Sequence, residues 1–142
     1  MVTRESSLEI RILNSVEDVN SSQWNSLSGL ENPFTQHGFY SALEQSGSAC
    51  AQTGWQPCHF LLEDKQGAAL GIMPAYIKGH SYGEYVFDHS WAHAYERAGG
   101  QYYPKLQMSV PFTPAKGPRV FSHSDKHWTA LIEGAKTFCR SN

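Results

Sequence analysis

Carboxylates, histidines and aromatic rings are concentrated between residues 79 and 100, in the string GHSYGEYVFDHSWAHAYERAGG. Glu84, Asp88 and His93 are the side chains in this segment that fit general acid–base chemistry, because a carboxylate or imidazole near a pocket can take a proton from a reacting group. A structural role is the alternative, in which Asp88 caps a helix that begins at Ser90 and the other two are solvated or hydrogen-bonded. The segment therefore predicts either a proton-transfer site or a capped helix.

Aromatic rings in and after this segment suit a binding groove. Flat amphipathic rings pack well against sugars and peptides, although rings at helical or strand spacing are more often part of a core. The candidate groove residues are Trp91, Tyr95, Tyr102 and Tyr103. Lys105 follows them, and its ammonium could bind a phosphate or carboxylate of a ligand or could be an ordinary surface charge.

Two pairs of histidines have the spacing of metal ligands on one helix face. His89 and His93 are four residues apart, as are His123 and His127, and imidazoles at this spacing can bind zinc. Neither pair has the intervening glutamate of a zinc-protease helix, and no third ligand is evident. We therefore predict that the chain holds no structural metal.

Composition excludes several classes of protein. Eleven basic and thirteen acidic residues among 142 leave a formal net charge of −2, whereas a DNA-binding protein usually has a basic excess. Apolar residues make up 40% of the chain, but no apolar run approaches the roughly 20 residues of a membrane span. The three cysteines are widely spaced, which is typical of a reducing compartment and not of a disulfide framework. These features predict a cytoplasmic globular protein that binds no DNA and spans no membrane.

A strand and a hairpin are predicted in the first half of the chain. Alternating aliphatic residues predict a strand over 8–13. A hairpin joins 58–63 to 68–78 through the turn Asp-Lys-Gln-Gly, and Pro74 predicts a bulge or an edge in its second strand. The residues predicted to form the core are Leu8, Ile10, Ile12, Phe39, Leu43, Phe60, Leu62 and Ile72.

Helices are predicted over 20–28, 36–46 and 90–98, and a last helix begins at Ser122 or Ser124. The shared apolar face of the helix over 90–98 consists of Trp91, Ala94, Tyr95 and Ala98. The stripe of the last helix consists of Trp128, Leu131, Ile132, Ala135, Phe138 and Cys139. A stripe of this width needs a partner surface, so it predicts a possible homo-oligomer contact through the C-terminal helix.

Long strings of unusual composition resemble one family. They are ALEQSGSA (42–49), TGWQPCHF (53–60), GEYVFD (83–88), WAHAYERAG (91–99), YYPKLQ (102–107) and VPFTPAKGPR (110–119). These strings resemble bacterial FemAB-like proteins of the acyl-CoA N-acyltransferase (GNAT) superfamily, which are commonly labelled peptidoglycan biosynthesis or recognition proteins.

The resemblance implies an α/β (α+β) fold, an incomplete GNAT-like mixed sheet with helices packed on its faces. Residues 1–142 would then be a single N-terminal GNAT-like domain that stops before the fifth strand, because members of the family are much longer and look like two such halves.

The resemblance also implies transfer of an acyl or aminoacyl group to an amine, such as that of a cell-wall peptide precursor. The donor would be acyl-CoA or aminoacyl-tRNA, the acceptor a small molecule or peptide, and no tightly bound cofactor is expected. Lys116, Gly117 and Arg119 would bind the donor phosphate near the N-terminus of the last helix.

In that reaction Glu84, Asp88 or His93 would take the proton, Trp91, Tyr95, Tyr103 and Lys105 would bind the substrate, and N–H groups of a strand near 110–113 would stabilise the oxyanion. The usual GNAT phosphate-loop pattern Q/R-x-x-G-x-G/A is absent, however. A second interpretation therefore stays open, namely a non-catalytic module that recognises a peptide or glycan.

Overall fold

Two sheets and four α-helices make up residues 7–142, the part of the chain that is described by a computed structural model. The elements are β1 (Glu9–Leu13), α1 (Ser21–Ser28), α2 (His37–Gln45), β2 (Gln56–Pro57), β3 (His59–Glu63), β4 (Ala69–Met73), β5 (Tyr76–Lys78), α3 (His89–Arg97), β6 (Lys105–Gln107), β7 (Phe121–Ser122) and α4 (Asp125–Ser141). The strand orders are β1-β3-β4-β7 and β2-β5-β6, and every pair formed within the described residues is antiparallel. The predicted α+β class is confirmed.

The predicted opening strand and hairpin form the larger sheet, but the second hairpin strand is shorter than predicted. Strand β1 pairs with β3, so that Ile10 lies opposite Leu62, and β3 pairs with β4. Strand β4 ends just before Pro74, which has no N–H to donate to a ladder. The chain resumes as β5, which pairs with β2 and β6 in the other sheet. Pro74 therefore marks the point where the chain passes from one sheet to the other.

Helices cover both faces of the larger sheet, because successive side chains of a strand point to opposite faces. On one face, Trp24 of α1 and Tyr40 of α2 pack with Leu61 in one buried cluster. On the other face, Phe60 packs with Leu131 of α4 in a second cluster. The prediction that the first two helices pack against the sheet is confirmed.

Most of the predicted core is buried, with one error. Phe60, Leu62 and Ile72 are fully buried, whereas Leu8, Ile10, Phe39 and Leu43 pack against the core and are partly buried. The prediction that Ile12 belongs to the core is wrong, because Ile12 is 36% exposed while its neighbour Leu13 is 1% exposed. Strand β1 lies at the sheet edge, where the α4 cluster includes Ile10 but not Ile12.

Local signals at Asn20 and Gly29 fix the two ends of α1. The Oδ1 atom of Asn20 accepts a hydrogen bond from the Ser22 N–H at 2.8 Å, which satisfies one of the free N–H groups at the start of the helix. Gly29 ends the helix with a φ of 75°, a conformation that glycine adopts without strain. Within residues 7–142, none of the helices is both long enough and apolar enough to cross a bilayer.

The predicted stripe of α4 is only half covered. Leu131 and Ala135 are buried and Ile132 and Phe138 partly so, while Trp128 is 49% exposed and Cys139 is exposed. The buried half faces the larger sheet. Trp128 and Cys139 are the exposed residues of the stripe.

The predicted packing face of α3 is wrong. Trp91 is 70% exposed and Tyr95 is 51% exposed, whereas the buried residue of the helix is Ala92. Asp88, one turn before Ala92, is held on the body of the protein by the ion pair described below, and this contact sets the rotation of the helix. The small side chain therefore faces inward and the large rings face solvent.

Candidate functional site

Lys105 on β6 is the centre of a compact charge cluster. Its ammonium donates to Asp88 Oδ2 at 2.7 Å, to Glu84 Oε2 at 3.0 Å and to Ser81 Oγ at 3.1 Å. Strand pairing produces this meeting, because β6 lies beside β5 with Lys105 opposite Lys78, and the segment after β5 carries the two carboxylates. Of the three residues predicted to take a proton, the structure brings Glu84 and Asp88 together.

Two tyrosines enclose the cluster. The Tyr102 hydroxyl donates to Asp88 Oδ2 at 2.6 Å, and the hydroxyls of Tyr103 and Ser81 share a hydrogen bond of 2.5 Å. The Lys105 ammonium lies 5.2 Å from the Tyr102 ring centroid and 5.7 Å from that of Tyr103, within the range of cation–π attraction. The predicted substrate-binding residues Tyr103 and Lys105 are thus engaged with the protein itself.

Lys78 forms a second, deeper layer of charge. It is fully buried, donates to the Tyr82 carbonyl at 2.9 Å, and lies 3.7 Å from the Trp55 ring centroid. Its ammonium is 3.9 Å from Glu84 Oε1. Burial lowers the pKa of Lys78 to about 8, although the negative charge of Glu84 opposes this shift. Lys78 is therefore a buried cation at neutral pH, and it loses its proton as the pH rises through about 8.

Hydrogen bonding decides the charge of Asp88. Partial burial disfavours its ionised form, but hydrogen bonds from Lys105 and Tyr102 outweigh burial and hold the pKa of Asp88 well below its usual range. Burial lowers the pKa of Lys105, and the bonds to Asp88 and Glu84 reverse that effect, so the pKa of Lys105 is raised. An ionised carboxylate with such a low pKa is a poor general base.

The proposed capping role of Asp88 is also incorrect as far as its side chain is concerned. Asp88 occupies the residue before α3, but its carboxylate makes no hydrogen bond to the first N–H groups of the helix. The carboxylate accepts from the Lys105 ammonium at 2.7 Å instead, a contact between two full and opposite charges, whereas a backbone N–H carries only a partial charge.

Three polar atoms of the cluster are buried and have no hydrogen-bond partner within the described residues. They are Glu84 Oε1, Asp88 Oδ1 and Trp55 Nε1. A buried acceptor without a donor costs about 1–3 kcal/mol. Glu84 is the more enclosed of the two carboxylates, with a side chain only 3% exposed. A ligand whose N–H or O–H group reached Glu84 Oε1 would therefore make a hydrogen bond that the described residues do not supply.

Above the cluster, residues 82–87 form an exposed apolar segment that we call the aromatic loop. Tyr82, Tyr85, Val86 and Phe87 are all more than half exposed, and Phe87 is 88% exposed. A single monomer seldom exposes so many large apolar side chains in a row without a binding role.

The aromatic loop is anchored from below. Lys78 holds the Tyr82 carbonyl, the Gly83 carbonyl accepts from the Phe112 N–H at 3.0 Å, and Lys105 holds Glu84. Gly83 has a φ of 79°, and a Cβ there would lie 2.8 Å from the Phe112 ring. The buried charges and a close backbone contact thus fix the loop while its apolar side chains face solvent.

Two shallow pockets flank the loop. One, of about 250 Å³, is lined by Ser81, Tyr82, Gly83, Tyr85, Val86, Phe87 and His89. The other, of about 190 Å³, is lined by His80, Ser81, Tyr82, His89, Ala92, His93, Glu96 and Tyr103. His93, the third predicted acid–base residue, therefore lies on the exposed side of α3, in a pocket apart from the two carboxylates.

The aromatic residues predicted to form a groove are divided by the fold. Tyr95, Tyr102 and Tyr103 make a row with centroid separations of 6.1 Å and 4.9 Å. Trp91 lies on the exposed face of α3. The alternative prediction, that these rings are core, is wrong for Trp91 and Tyr95.

The segment predicted to bind a donor phosphate folds back on itself. The Arg119 guanidinium donates to the carbonyls of Gly117 and Ala115 at 3.1 and 2.9 Å, and Asn32 donates to the Lys116 carbonyl at 3.1 Å. Lys116 is exposed. The role of Lys116, Gly117 and Arg119 in donor binding stays a prediction.

The predicted strand near 110–113 is wrong. Residues 111 and 112 form a turn, and the structure has no strand between Gln107 and Phe121. Phe112 has a φ of 62°, and its N–H is already bonded to Gly83. This N–H is therefore not available for an oxyanion.

Sequence reasoning missed Lys78, Ser81 and Trp55 as members of the site. Strand alternation was the available signal for Lys78, because it shares a face with the buried Tyr76 two residues earlier. Ser81 and Trp55 had no such signal, since long-range pairing alone brings them to the cluster. For metals, no group of three His, Cys, Asp or Glu side chains within residues 7–142 has the geometry to hold an ion.

Comparison with known proteins yields one match. The FemAB-like family, described as peptidoglycan biosynthesis/recognition, matches residues 15–142. No curated protein and no solved structure matches the chain. Because the family match covers nearly the whole chain, including both carboxylates, Lys105 and the aromatic loop, the resemblance to FemAB-like proteins is confirmed. The chain belongs to the FemAB-like family.

Proposed function

We propose that the aromatic loop is a recognition surface for the peptide or glycan part of a cell-wall precursor or polymer. The observation that carries this proposal is an exposed run of large apolar side chains in a loop that is anchored at Tyr82, Gly83 and Glu84. Aromatic side chains at a binding surface supply much contact area at low entropic cost when they are already ordered. The family's description, peptidoglycan biosynthesis/recognition, supports a cell-wall ligand.

Rigidity is what distinguishes this loop from an ordinary exposed turn. Its backbone is held at Tyr82, Gly83 and Glu84 by the contacts described above. These anchors reduce the entropy that the first half of the loop would lose on binding, and the exposed rings of Tyr85 and Phe87 can pack on a sugar face or a peptide side chain.

Titration of the chain with a disaccharide–peptide fragment of peptidoglycan, followed by NMR and calorimetry, tests the proposal. Phe87→Ala should weaken binding about fivefold or more, as expected for an aromatic anchor worth over 1 kcal/mol. Leu30→Ala is the matched control, because Leu30 is a 68% exposed apolar residue outside the loop. Equal affinities of both variants, or no binding by the wild type, would exclude the loop as the recognition surface.

A second candidate function is transfer of an acyl or aminoacyl group to an amine of the bound peptide, in a GNAT-like reaction. The unpartnered Oε1 of Glu84 favours it, because the ammonium of an acceptor is the donor that this atom lacks. The amine nitrogen would form a bond to the carbonyl carbon of a thioester or ester, the thiol or alcohol would leave, and Glu84 would receive the amine proton. Asp88 is a poor base for this step, because hydrogen bonds from Lys105 and Tyr102 hold its pKa low.

Transfer is tested with acetyl-CoA and aminoacyl-tRNA as alternative donors and a lysine-containing cell-wall peptide as acceptor. Glu84→Gln should reduce turnover roughly 10²–10⁴-fold while leaving peptide affinity within a few-fold. Glu96→Gln, an exposed carboxylate on α3, is the control. Peptide binding without transfer from either donor would leave recognition as the function.

A further inference from the structure

A continuous apolar groove runs between β6 and α4, on the side of the molecule that the proposed function does not use. One part, of about 340 Å³, is lined by Leu106, Met108, Ile132, Ala135, Lys136, Cys139 and Arg140. The adjoining part, of about 180 Å³, is lined by Ile77, Pro104, Lys105, Leu106, Phe138, Cys139 and Asn142. Leu106 and Cys139 belong to both parts. The groove therefore runs along the α4 stripe from Ile132 to Cys139 and does not include Trp128.

One wall of this groove is an open strand edge. Strand β6 is the last strand of its sheet and pairs only with β5 among the strands of residues 7–142. An edge strand presents unpaired N–H and C=O groups along its free side, which is a template for another strand. The occupant of the groove is therefore expected to bring both an extended strand and apolar surface.

We propose that the occupant is a second copy of this chain, related by a two-fold axis beside Leu106. Antiparallel pairing of β6 with the partner's β6 would satisfy both free edges at once. Because Met108 and Ile132 line one end of the groove and Pro104 and Asn142 the other, β6 and α4 run in opposite directions. The same two-fold axis therefore sets the two α4 helices side by side and antiparallel.

The charges on α4 match this arrangement. Glu133 lies on the exposed side of the helix and pairs with Lys136 at 2.8 Å, and Arg140 lines the groove without an ion pair in the described part of the chain. In an antiparallel pair of helices centred between residues 136 and 137, Glu133 of each copy faces Arg140 of the partner. This contact would occur twice, once on each side of the two-fold axis, as an isologous interface requires, and Lys136, which also lines the groove, would keep its own bond to Glu133.

The dimer would leave the recognition surface free. The Lys105 ammonium binds Glu84 and Asp88 of the charge cluster, although Lys105 also borders the second part of the groove, and Leu106 lines both parts. Pairing at β6 would also hold the strand that carries Lys105. The contact therefore goes beyond the proposed function and does not compete with it.

Light scattering and sedimentation of the 142-residue chain over a range of concentrations test the proposal. The wild type should dimerise reversibly. Ile132→Glu places a charge in the groove and should weaken the dimer at least tenfold, whereas Trp128→Glu, on the same helix but outside the groove lining, should not.

A charge exchange provides the sharper test, because both residues are exposed and fold stability is spared. Glu133→Lys and Arg140→Glu should each weaken the dimer several-fold, and the two together should restore it. The proposal would be overturned if the folded wild type stays monomeric at all concentrations or forms an open series of higher oligomers. It would also be overturned if Ile132→Glu leaves the dimer unchanged and the double charge exchange does not restore dimerisation.

Discussion

Replacing Lys105 by Met is the most direct test of the charge cluster. The ammonium makes two charge-assisted hydrogen bonds, to Asp88 at 2.7 Å and to Glu84 at 3.0 Å. Each bond of this type contributes about 1.5–3 kcal/mol, and removing one partner of a buried ion pair costs about 3–5 kcal/mol because the other charge stays buried. Two facts reduce the loss: the side chains of Lys105 and Asp88 are 15% and 19% exposed, and Lys78 remains near Glu84. We expect Lys105→Met to lower the free energy of unfolding by about 3 kcal/mol at pH 7.

The pH dependence of this loss identifies its cause. The folded-state pKa of Asp88 is lowered, so its contribution is present above the unfolded pKa of about 4 and is lost as the pH falls through the folded value. Without Lys105, protonation of the carboxylates relieves the unpaired charge. The difference between Lys105→Met and the wild type should therefore shrink as the pH is lowered below about 4.

Urea unfolding of both proteins between pH 3 and pH 8 measures these differences. Lys136→Met is the matched control, since its ion pair with Glu133 is about half exposed on both sides and should contribute under about 1 kcal/mol. The reasoning that Lys105 compensates two buried carboxylates would be refuted if Lys105→Met lowered the free energy of unfolding no more than the control does. It would also be refuted if that decrease did not change with pH.

Three further predictions concern the buried polar groups and the loop. Glu44→Ala should cost about 3 kcal/mol in urea unfolding, because the Glu44 carboxylate accepts bonds from Ser15, Val16 and His59 that would lose their partner. Because the folded pKa of Lys78 is lowered to about 8 from an unfolded value of about 10.4, the unfolded state binds more protons between these values. The free energy of unfolding should therefore rise from pH 8 to about 10 in the wild type and not in Lys78→Met; a flat wild-type profile would contradict this. Gly83→Ala should lower the free energy of unfolding by about 1–3 kcal/mol and shift the NMR signals of the aromatic loop, because its Cβ would contact Phe112 at a positive φ. Gly79→Ala is the control, because its Cβ would contact nothing within 4 Å, and it should lower the free energy of unfolding by under about 1 kcal/mol.

Local signals in the sequence determined the elements of the first half of the chain. Asn20 and Gly29 bound α1 because a cap acts on its own turn of helix. The alternation of apolar residues predicted β1, and the turn Asp-Lys-Gln-Gly between two apolar runs predicted the hairpin that contains β3 and β4. Unusual strings in residues 42–119 were enough to indicate the FemAB-like family, which the family match confirmed.

The tertiary structure alone decided how the site is assembled. Nothing within a few residues of Asp88 shows that Lys105 will bind it, and this contact both prevents the cap and turns Ala92 inward and Trp91 outward. The sequence likewise marked Pro74 as a break, but only the pairing of β5 with β6 placed Lys78 beneath Glu84. Caps and alternation depend on neighbours in the chain, whereas an ion pair depends on Coulomb energy between groups that folding brings together from distant positions, so local pattern could not reveal it.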